Sequence, residues 1–305
     1  MTSESSIKIA TRSSKLALLQ TEEVIKMLQL ALPYQSFEII THRSEGDINK
    51  SAPLSTMKRG MFAKGIEQIL LDGKADVAVH SAKDVPSHIP EGLAIAGFSR
   101  RLDPRDVLVG NIPASLSGLP HGASLGTSSQ RRSCQLLNAR PDLDIVSVRG
   151  NVDSRLKLPS QGVVHAVVLA AAGIERLGRG QEISGYLSIE ESIPDVGQGA
   201  LIVECRDDET LDLLQGIGHV ETSVAVTAER AFLAAIEGGC NSPVAAHAEM
   251  IGAELLLRTM AGTADGKEIY RSETRAHVSD PISAGKLAAQ NLLDVGAWKM
   301  YKANL

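Results

Sequence analysis

The sequence predicts an α/β protein in which two α/β domains of similar size are followed by a small α+β domain. At roughly 150 residues per domain, a chain of 305 residues has room for two domains or for three smaller ones. Segments typical of strands and of helices alternate along the chain, and the alternation restarts after residues 100–104. The pattern of segments changes from about residue 222. The predicted domains span residues 1–98 with 200–217, 104–196, and 222–305.

The first domain begins with a strand over residues 7–11, where the side chains alternate in character. Ser13 or Ser14 can cap the helix that follows, and the apolar stripe of this helix ends before Pro33. Residues 42–61 have no clear period, so we expect a mobile loop there, since so long a loop in a compact domain is usually functional or disordered. The other predicted elements are strands at 37–41, 75–79 and 93–98 and a helix at 62–71. Because strands alternate with helices, we expect a parallel sheet.

The second domain repeats this pattern and the third does not. Helices of the second domain are predicted to start near Ser128 and Val152. Its predicted strands lie at 107–109, 123–126, 144–148 and 166–169. The elements predicted for the third domain are a helix at 224–236, antiparallel strands within 246–260, a hairpin turn at 262–266 and a helix at 281–301.

Composition argues against several classes of protein. Lys and Arg total 31 and Asp and Glu total 36, so the net charge is −5, and only 3% of residues are aromatic, which disfavours a nucleic-acid binder that stacks bases. Cys134, Cys205 and Cys240 are far apart and form no CxxC motif, which favours free thiols in a reducing compartment and no metal site. Residues 1–6 lack the apolar segment of a signal peptide, and the most apolar run, 162–174, is too short to cross a bilayer. We expect a cytoplasmic protein that binds neither nucleic acid nor membrane.

Basic residues gather where predicted strands end or helices begin. In open α/β sheets this edge is the crevice in which ligands bind. Arg131 and Arg132 follow small hydroxyl residues in the segment 126–132, where helix N–H groups and guanidinium groups would bind an anion. The full set is Arg12, Lys83, Arg131, Arg132, Arg149 and Arg155. Any one of them alone would be read as a solvated surface charge, but the repeated placement predicts a polyanionic ligand, a carboxylate or a phosphate.

Two further segments could carry chemistry. Lys83 and Asp84 follow a predicted strand, where they form either a surface ion pair or a site in which Asp84 faces positive charge developing on a substrate. His80, just before them, is expected to be packed rather than catalytic. Cys240 follows two glycines at a predicted helix end and precedes Pro243, which favours a reactive or modified thiol, whereas Cys134 and Cys205 look structural.

Seven blocks of the sequence resemble, in order, those of the porphobilinogen deaminase (hydroxymethylbilane synthase) family. They are residues 11–17, 80–86, 103–106, 126–132, 149–151, 196–200 and 237–243. The resemblance implies two doubly wound domains like those of periplasmic binding proteins and a third domain that carries a dipyrromethane cofactor, bound to Cys240 through a thioether. It also implies a transferase of tetrapyrrole and heme biosynthesis that joins four porphobilinogen molecules head-to-tail onto that primer. Ammonia is lost at each addition, and hydroxymethylbilane is released by hydrolysis.

The same resemblance implies roles for particular residues. The catalytic residues would be Asp84, Lys83 and Gln198, with Asp84 stabilising the cationic azafulvene formed as ammonia leaves. The cofactor would be held by Cys240, Ser81, Lys83, Asp84, Thr127, Ser129, Arg131, Arg132, Arg149, Gly150 and Arg155. The substrate would be bound by Arg12, Ser14, Arg59, Phe62, Arg149, Arg155 and Arg176. A monomer is expected, and no metal is implied.

Three positions depart from the family pattern. Arg59 stands where Lys is usual, which keeps the charge but changes the donor geometry. Gly65 replaces a common Glu, and Ala82 replaces a common Met.

A two-domain anion-binding module without catalysis is the competing hypothesis, since the fold alone would support it. Cys240 and Asp84 distinguish the two, because a simple receptor needs neither.

Overall fold

The computed structural model describes residues 6–42, 63–113, 115–236 and 243–299. The chain divides into two compact units. Unit 1 consists of Met1–Leu102 and Ala200–Ser223, and unit 2 consists of Asp103–Gly199 and Val224–Leu305. Unit 2 therefore contains both the second α/β sheet and the C-terminal elements, and the division into three domains stays a prediction.

Strands and helices alternate along much of the described chain. The strands are β1 (Ile7–Arg12), β2 (Phe37–His42), β3 (Val77–Ser81), β4 (Leu93–Phe98), β5 (Asp106–Gly110), β6 (Ser124–Gly126), β7 (Asp144–Val146), β8 (Ala166–Ala170), β9 (Gly185–Tyr186), β10 (Leu201–Arg206), β11 (Val244–Ile251), β12 (Glu254–Gly262) and β13 (Ile269–His277). The helices are α1 (Lys15–Ala31), α2 (Lys64–Leu71), α3 (Gln130–Ala139), α4 (Val152–Leu156), α5 (Ala171–Arg176), α6 (Glu209–Leu213), α7 (Val220–Ile236) and α8 (Pro281–Leu292).

Each of the two five-stranded sheets is mixed rather than wholly parallel. The first has the order β2-β1-β3-β10-β4 and the second β7-β6-β8-β5-β9. In the first, β1, β2 and β3 are parallel and β10 runs antiparallel to β3 and β4. In the second, β6, β7 and β8 are parallel and β5 runs antiparallel to β8 and β9. The expectation of a parallel sheet was therefore wrong for β5 and β10, because alternation along the chain reveals neither a strand's direction nor the distant neighbours between which it lies.

Helices cover both faces of the first sheet, because its strands carry two sets of apolar side chains, one on each face. One set, which includes Ile9 and Val77, packs against Leu28 of α1. The other, with Ala10 and Ala78, packs against Ile66 of α2. The first sheet is therefore doubly wound.

The second sheet is built in the same way. Leu108 and Leu125 pack against Leu136 of α3 on one face, and Val107 packs with Ile174 of α5 on the other. The prediction of two doubly wound α/β sheets is confirmed.

The C-terminal part is a three-stranded antiparallel sheet, β11-β12-β13, with α7 and α8 packed in its core. The α+β character predicted for this part is confirmed. The last helix is shorter than predicted, since α8 ends at Leu292 and a wider helical turn follows over Leu293–Ala297. Inside this turn Gly296 has a non-helical φ of 115°, and a Cβ there would lie 2.8 Å from the ring of Tyr270. None of the helices within the described residues has both the length and the apolar character needed to cross a membrane.

Candidate functional site

In unit 1, two predicted site residues lie where β1 ends and α1 begins. Arg12 is the last residue of β1, and Ser14 is the cap of α1, with its hydroxyl accepting a hydrogen bond from the Ala17 backbone N–H at 3.2 Å. Both side chains are half-buried. The carboxyl end of this parallel strand is the sheet edge where ligands bind in α/β folds.

Lys83 and Asp84 lie at the same edge, in a single 3-10 turn directly after β3. The Ala82 backbone N–H donates to the Ala200 carbonyl at 3.0 Å, which ties the start of this turn to the beginning of β10. The Ser81 hydroxyl accepts from the side-chain amide of Gln20 at 2.8 Å. Lys83 and Asp84 themselves are half-buried at this edge. Their turn is held by the Ala82 backbone, which is bonded to the start of β10, and by the Ser81 side chain, which is bonded to α1.

In unit 2, the end of β6 and the start of α3 form a turn of hydroxyl residues. Thr127 is buried, and its backbone N–H donates to the Val146 carbonyl at 2.9 Å. Its hydroxyl accepts from the Ser129 N–H at 3.2 Å, and Ser129 in turn caps α3 by accepting from the Arg132 N–H at 3.4 Å. The predicted helix start is thus found two residues after Ser128, at Gln130.

Arg131 and Arg132 are buried on one carboxylate rather than displayed on the surface. Arg131 donates to Asp106 at 2.8 and 3.2 Å, and Arg132 donates to the same carboxylate at 3.0 and 2.7 Å. The Ser192 hydroxyl at 2.8 Å and the Gln198 amide at 2.9 Å also donate to Asp106. We call these five residues the Asp106 cluster. The sequence prediction identified its arginines and Gln198 but gave Asp106 no role, although a carboxylate at the start of an apolar strand was a signal that could have been used.

The electrostatics of the Asp106 cluster explain how it is buried. Burial by itself would raise the pKa of Asp106, but the charges of Arg131 and then Arg132 outweigh it and hold that pKa well below its usual range. Against the opposing effect of burial, the charges of Asp106 and then of Asp195 in turn raise the pKa of Arg131. Arg131 and Arg132 are 5% and 6% exposed, and the Nε atom of Arg131 has no hydrogen-bond partner among the described residues. That N–H can still donate to an acceptor.

The remaining unit 2 residues lie at neighbouring positions. Gly150 has φ of 103°, a conformation that favours glycine, and it leads into α4, which Asn151 caps by accepting from the Ser154 N–H at 2.9 Å. Arg149 precedes this turn, and Arg155 lies within α4 and is half-buried. Arg176 donates to the Gly199 carbonyl at 3.1 Å, next to Gln198.

Three predicted residues, Arg59, Phe62 and Cys240, lie outside the described residues. The other two cysteines are buried, and burial raises the pKa of each thiol to about 11. Within the described residues no group of three His, Cys, Asp or Glu side chains is arranged to hold a metal ion.

The departure at Gly65 has a structural counterpart. A Cβ at this position would overlap the Nε2 atom of His42. The imidazole of His42, at the carboxyl end of β2, therefore fills the space where a Glu side chain would begin.

The protein is therefore an α/β protein with two mixed sheets, and basic side chains lie where their parallel strands end, the edge at which ligands bind in such folds. Two family models match the chain. "Porphobilinogen deaminase, dipyromethane cofactor binding domain" matches residues 7–212, and "Porphobilinogen deaminase, C-terminal domain" matches residues 223–294. The chain belongs to the porphobilinogen deaminase family, as its motifs predicted. It is accordingly an enzyme, a transferase of tetrapyrrole synthesis, and it has the family's dipyrromethane cofactor domain.

Curated relatives support the same assignment over nearly the whole chain. A porphobilinogen deaminase of Syntrophus aciditrophicus is 44% identical over 294 residues, which cover 95% of this chain and 96% of that protein. A porphobilinogen deaminase of Brevibacillus brevis is also 44% identical, over 95% of this chain and 94% of the relative.

Solved structures resemble the chain only weakly. A periplasmic substrate-binding protein of an ABC transporter from Coxiella burnetii is 14% identical with a TM-score of 0.42, over 68% of this chain and 90% of that one. A TRAP periplasmic solute binding protein from Desulfovibrio salexigens is 11% identical with a TM-score of 0.42, over 71% and 73%. Similarity at this level supports no statement about what this chain binds.

Proposed function

We propose that the protein joins four porphobilinogen molecules head-to-tail onto a covalently bound dipyrromethane, with loss of ammonia, and releases hydroxymethylbilane by hydrolysis. The observation that carries this proposal is the Asp106 cluster, in which two guanidinium groups are buried at the start of α3 and the Arg131 Nε has no hydrogen-bond partner among the described residues. Pyrroles that bear carboxylates supply an acceptor for that N–H. Membership of the family supplies the type of reaction.

The residues present fit the cofactor. The guanidinium groups of Arg131 and Arg132 suit a cofactor carboxylate, since the Nε of Arg131 has no hydrogen-bond partner in the described part of the chain. When bound, the dipyrromethane supplies the terminal pyrrole carbon to which the first substrate is added. The residues that we propose to hold it, besides Cys240, are Ser81, Lys83, Asp84, Thr127, Ser129, Arg131, Arg132, Arg149, Gly150 and Arg155.

Cys240 is the thiol that we propose for the attachment. Cys134 and Cys205 are poor candidates, because they are buried and their raised pKa values disfavour the reactive thiolate. Cys240 is three residues from Pro243, so the chain keeps the two α-carbons within about 11 Å of each other.

Pro243, three residues after Cys240, lies close to α3, the helix that carries Arg131 and Arg132. The Pro243 carbonyl accepts from the Gly262 N–H at 3.1 Å. A Cβ on Gly262 would lie 2.6 Å from the Sγ atom of Cys134, which is on α3 with Arg131 and Arg132. A cofactor attached at Cys240 would therefore begin near the helix that we propose to bind its carboxylates.

Asp84 is the proposed catalytic carboxylate. As ammonia leaves porphobilinogen, positive charge develops on the ring, and a fixed carboxylate lowers the energy of that state. The turn that holds Asp84 is restrained as such a role requires. The Ala82 N–H is hydrogen-bonded to the Ala200 carbonyl, and the Ser81 hydroxyl is hydrogen-bonded to the side-chain amide of Gln20. Lys83 is proposed as the neighbouring cation that binds a carboxylate. Gln198 is proposed to contact the substrate pyrrole from the segment that also holds Asp106.

Substrate carboxylates are assigned to basic groups at the two sheet edges. Every porphobilinogen brings an acetate and a propionate, so the growing chain becomes more anionic with each addition. The proposed substrate-binding residues are Arg12, Ser14, Arg59, Phe62, Arg149, Arg155 and Arg176. We further propose that the enzyme works as a monomer in the cytoplasm, which sedimentation and cell fractionation would test.

An Asp84→Asn variant tests the catalytic assignment. We expect turnover of porphobilinogen to fall by at least about a hundredfold with an unchanged far-UV circular dichroism spectrum, because the fixed charge is lost while the turn is kept. Asp72→Asn, an exposed carboxylate in the same unit, is the matched control and should keep normal turnover. Near-normal turnover in Asp84→Asn would remove Asp84 from this role.

Intact-mass measurement tests the attachment. The purified protein should be heavier than its sequence by one dipyrromethane, and Cys240→Ser should lack the increment. An unmodified mass that persists after incubation with porphobilinogen would overturn the proposal.

Arg149→Ala should impair cofactor assembly or elongation, and full activity in that variant would count against carboxylate binding at this edge.

A further inference from the structure

Three ionisable side chains that the proposed reaction does not use meet inside unit 1. Glu67 of α2, His80 of β3 and Glu204 of β10 are 4%, 6% and 0% exposed. His80 Nε2 lies 3.1 Å from a carboxylate oxygen of Glu204. We call these three residues the acid–imidazole cluster.

The strand register explains why they meet. His80 is opposite Ile202 and Glu204 is opposite Ala78 on the antiparallel pair β3–β10, so His80 and Glu204 are diagonal neighbours on one face of the sheet. The register of β10 against β4 shifts between Val203 and Glu204, a type of irregularity that re-aims side chains. The same face carries Ala78, which packs against α2, and α2 contributes Glu67.

Charge accounting shows that the cluster is costly when every carboxylate is ionised. With Glu67 and Glu204 both ionised, two negative charges would be buried beside one imidazole, and burying unpaired charge is costly. His80 Nε2, one oxygen of Glu67 and both oxygens of Glu204 are buried without a hydrogen-bond partner among the described residues. A proton on Glu67 removes one of these buried charges.

The surroundings of Glu67 favour its protonated form. Burial and then the charge of Glu204 raise its pKa, whereas His80 and Lys64 lower it by less. Lys64 is one turn away on α2 and is exposed, so solvent screens its charge.

The cluster lies directly beneath the turn that carries Asp84. His80 immediately precedes Ser81, and the turn is tied to β10, the strand that carries Glu204. We propose that Glu67, His80 and Glu204 are positioning residues for Asp84, holding its turn in place while Glu67 is protonated and releasing it when Glu67 ionises. This inference rests on the role proposed above for Asp84.

Glu67→Gln tests the proton requirement, because the amide keeps the shape of a protonated carboxyl and cannot ionise. The upper limb of the kcat profile, which ionisation of Glu67 sets in the parent, should be absent from the variant. The pH dependence of stability should change in the same direction. A raised folded pKa stabilises the fold below the unfolded value and loses that contribution as the pH rises through the folded value, so Glu67→Gln should resist urea progressively better than the parent as the pH rises above the unfolded value. The control is Glu22→Gln, an exposed position on α1, which should leave both profiles unchanged. An unchanged upper limb in Glu67→Gln would overturn the proposal.

Substitutions of His80 test the positioning role. His80→Gln removes the imidazole that faces Glu204, and we expect kcat to fall by about 10- to 100-fold with a smaller change in KM, because misplacement of a catalytic group acts mainly on the chemical step. If this variant fails to fold, the pair His80→Gln with Glu204→Gln removes the buried carboxylate as well and leaves two amides that can bond to each other. The double variant should fold, and its upper limb should move to lower pH, because the charge of Glu204 no longer raises the pKa of Glu67. A wild-type kcat in the single variant, or a wild-type limb in the folded double variant, would overturn the inference.

The two proposals can fail separately. If Asp84→Asn is active, the catalytic assignment fails and the positioning role fails with it. If Asp84→Asn is inactive while Glu67→Gln keeps the parent pH profile, only the acid–imidazole cluster loses its role.

Discussion

Replacing Asp106 with asparagine tests whether the two buried arginines depend on a single carboxylate. In the folded protein that carboxylate accepts hydrogen bonds from Arg131, Arg132, Ser192 and Gln198. Asparagine keeps one acceptor oxygen for these donors, and its own amide hydrogens would face the guanidinium groups.

The expected cost follows from this geometry. Removing one partner of a buried ion pair costs about 3–5 kcal/mol, because the other charge stays buried without compensation. Here two guanidinium groups lose their partner together, so we expect the upper end, about 4–5 kcal/mol. That is a large part of the roughly 5–15 kcal/mol by which a typical domain is stable.

The loss should depend on pH in a defined direction. Because the pKa of Asp106 is lowered in the folded protein, the ionised carboxylate stabilises unit 2 at every pH above its unfolded value of about 4. This contribution is lost as the pH falls from there toward the folded value. The difference in unfolding free energy between the parent and Asp106→Asn should therefore be constant near neutrality and shrink below about pH 4.

Urea unfolding followed by circular dichroism measures this difference. Asp144→Asn, an exposed position on β7 of the same sheet, serves as the control and should unfold like the parent. A loss below about 1 kcal/mol in Asp106→Asn, or a difference that does not shrink in acid, would refute the assignment of the cluster's charge to this carboxylate.

Two further predictions concern packing and thiol chemistry. Gly285→Ala should destabilise the protein by at least about 2 kcal/mol in urea unfolding, because a Cβ at this position would overlap a backbone oxygen of α7. Gly180→Ala is the control and should be tolerated, because a Cβ there would have no neighbour within 4 Å. Equal stability of the two variants would show that α8 can move away from α7 at no cost. A thiol reagent should label neither Cys134 nor Cys205 in the native holoenzyme and should label both after unfolding, because burial shields each thiol and raises its pKa to about 11. Labelling of Cys240 in the unfolded holoenzyme would contradict its thioether.

Local signals in the sequence were sufficient for most elements. Ser14 and Ser129 cap the helices that follow them, and each accepts a hydrogen bond from a backbone N–H only three positions further along the chain. Such a contact can be inferred from neighbouring residues. The last helix was predicted too long because its apolar pattern continues past Leu292, whereas the chain turns at Gly296 against Tyr270, a residue far away in sequence.

The sequence by itself determined the α/β class, the order of the family blocks and the positions of basic residues after strands. These depend on neighbouring residues, whose spacing is fixed by the chain. Only the tertiary structure decided which groups face each other inside the protein. Asp106 meets Arg131 across 25 positions, and His80 meets Glu204 because β10 lies antiparallel beside β3. His80 looked merely packed in the sequence, and its charged partners became visible only when strands from distant parts of the chain were placed side by side. Burial then gives such pairs their energetic weight, because low-dielectric surroundings strengthen each charge interaction and penalise each unpaired charge.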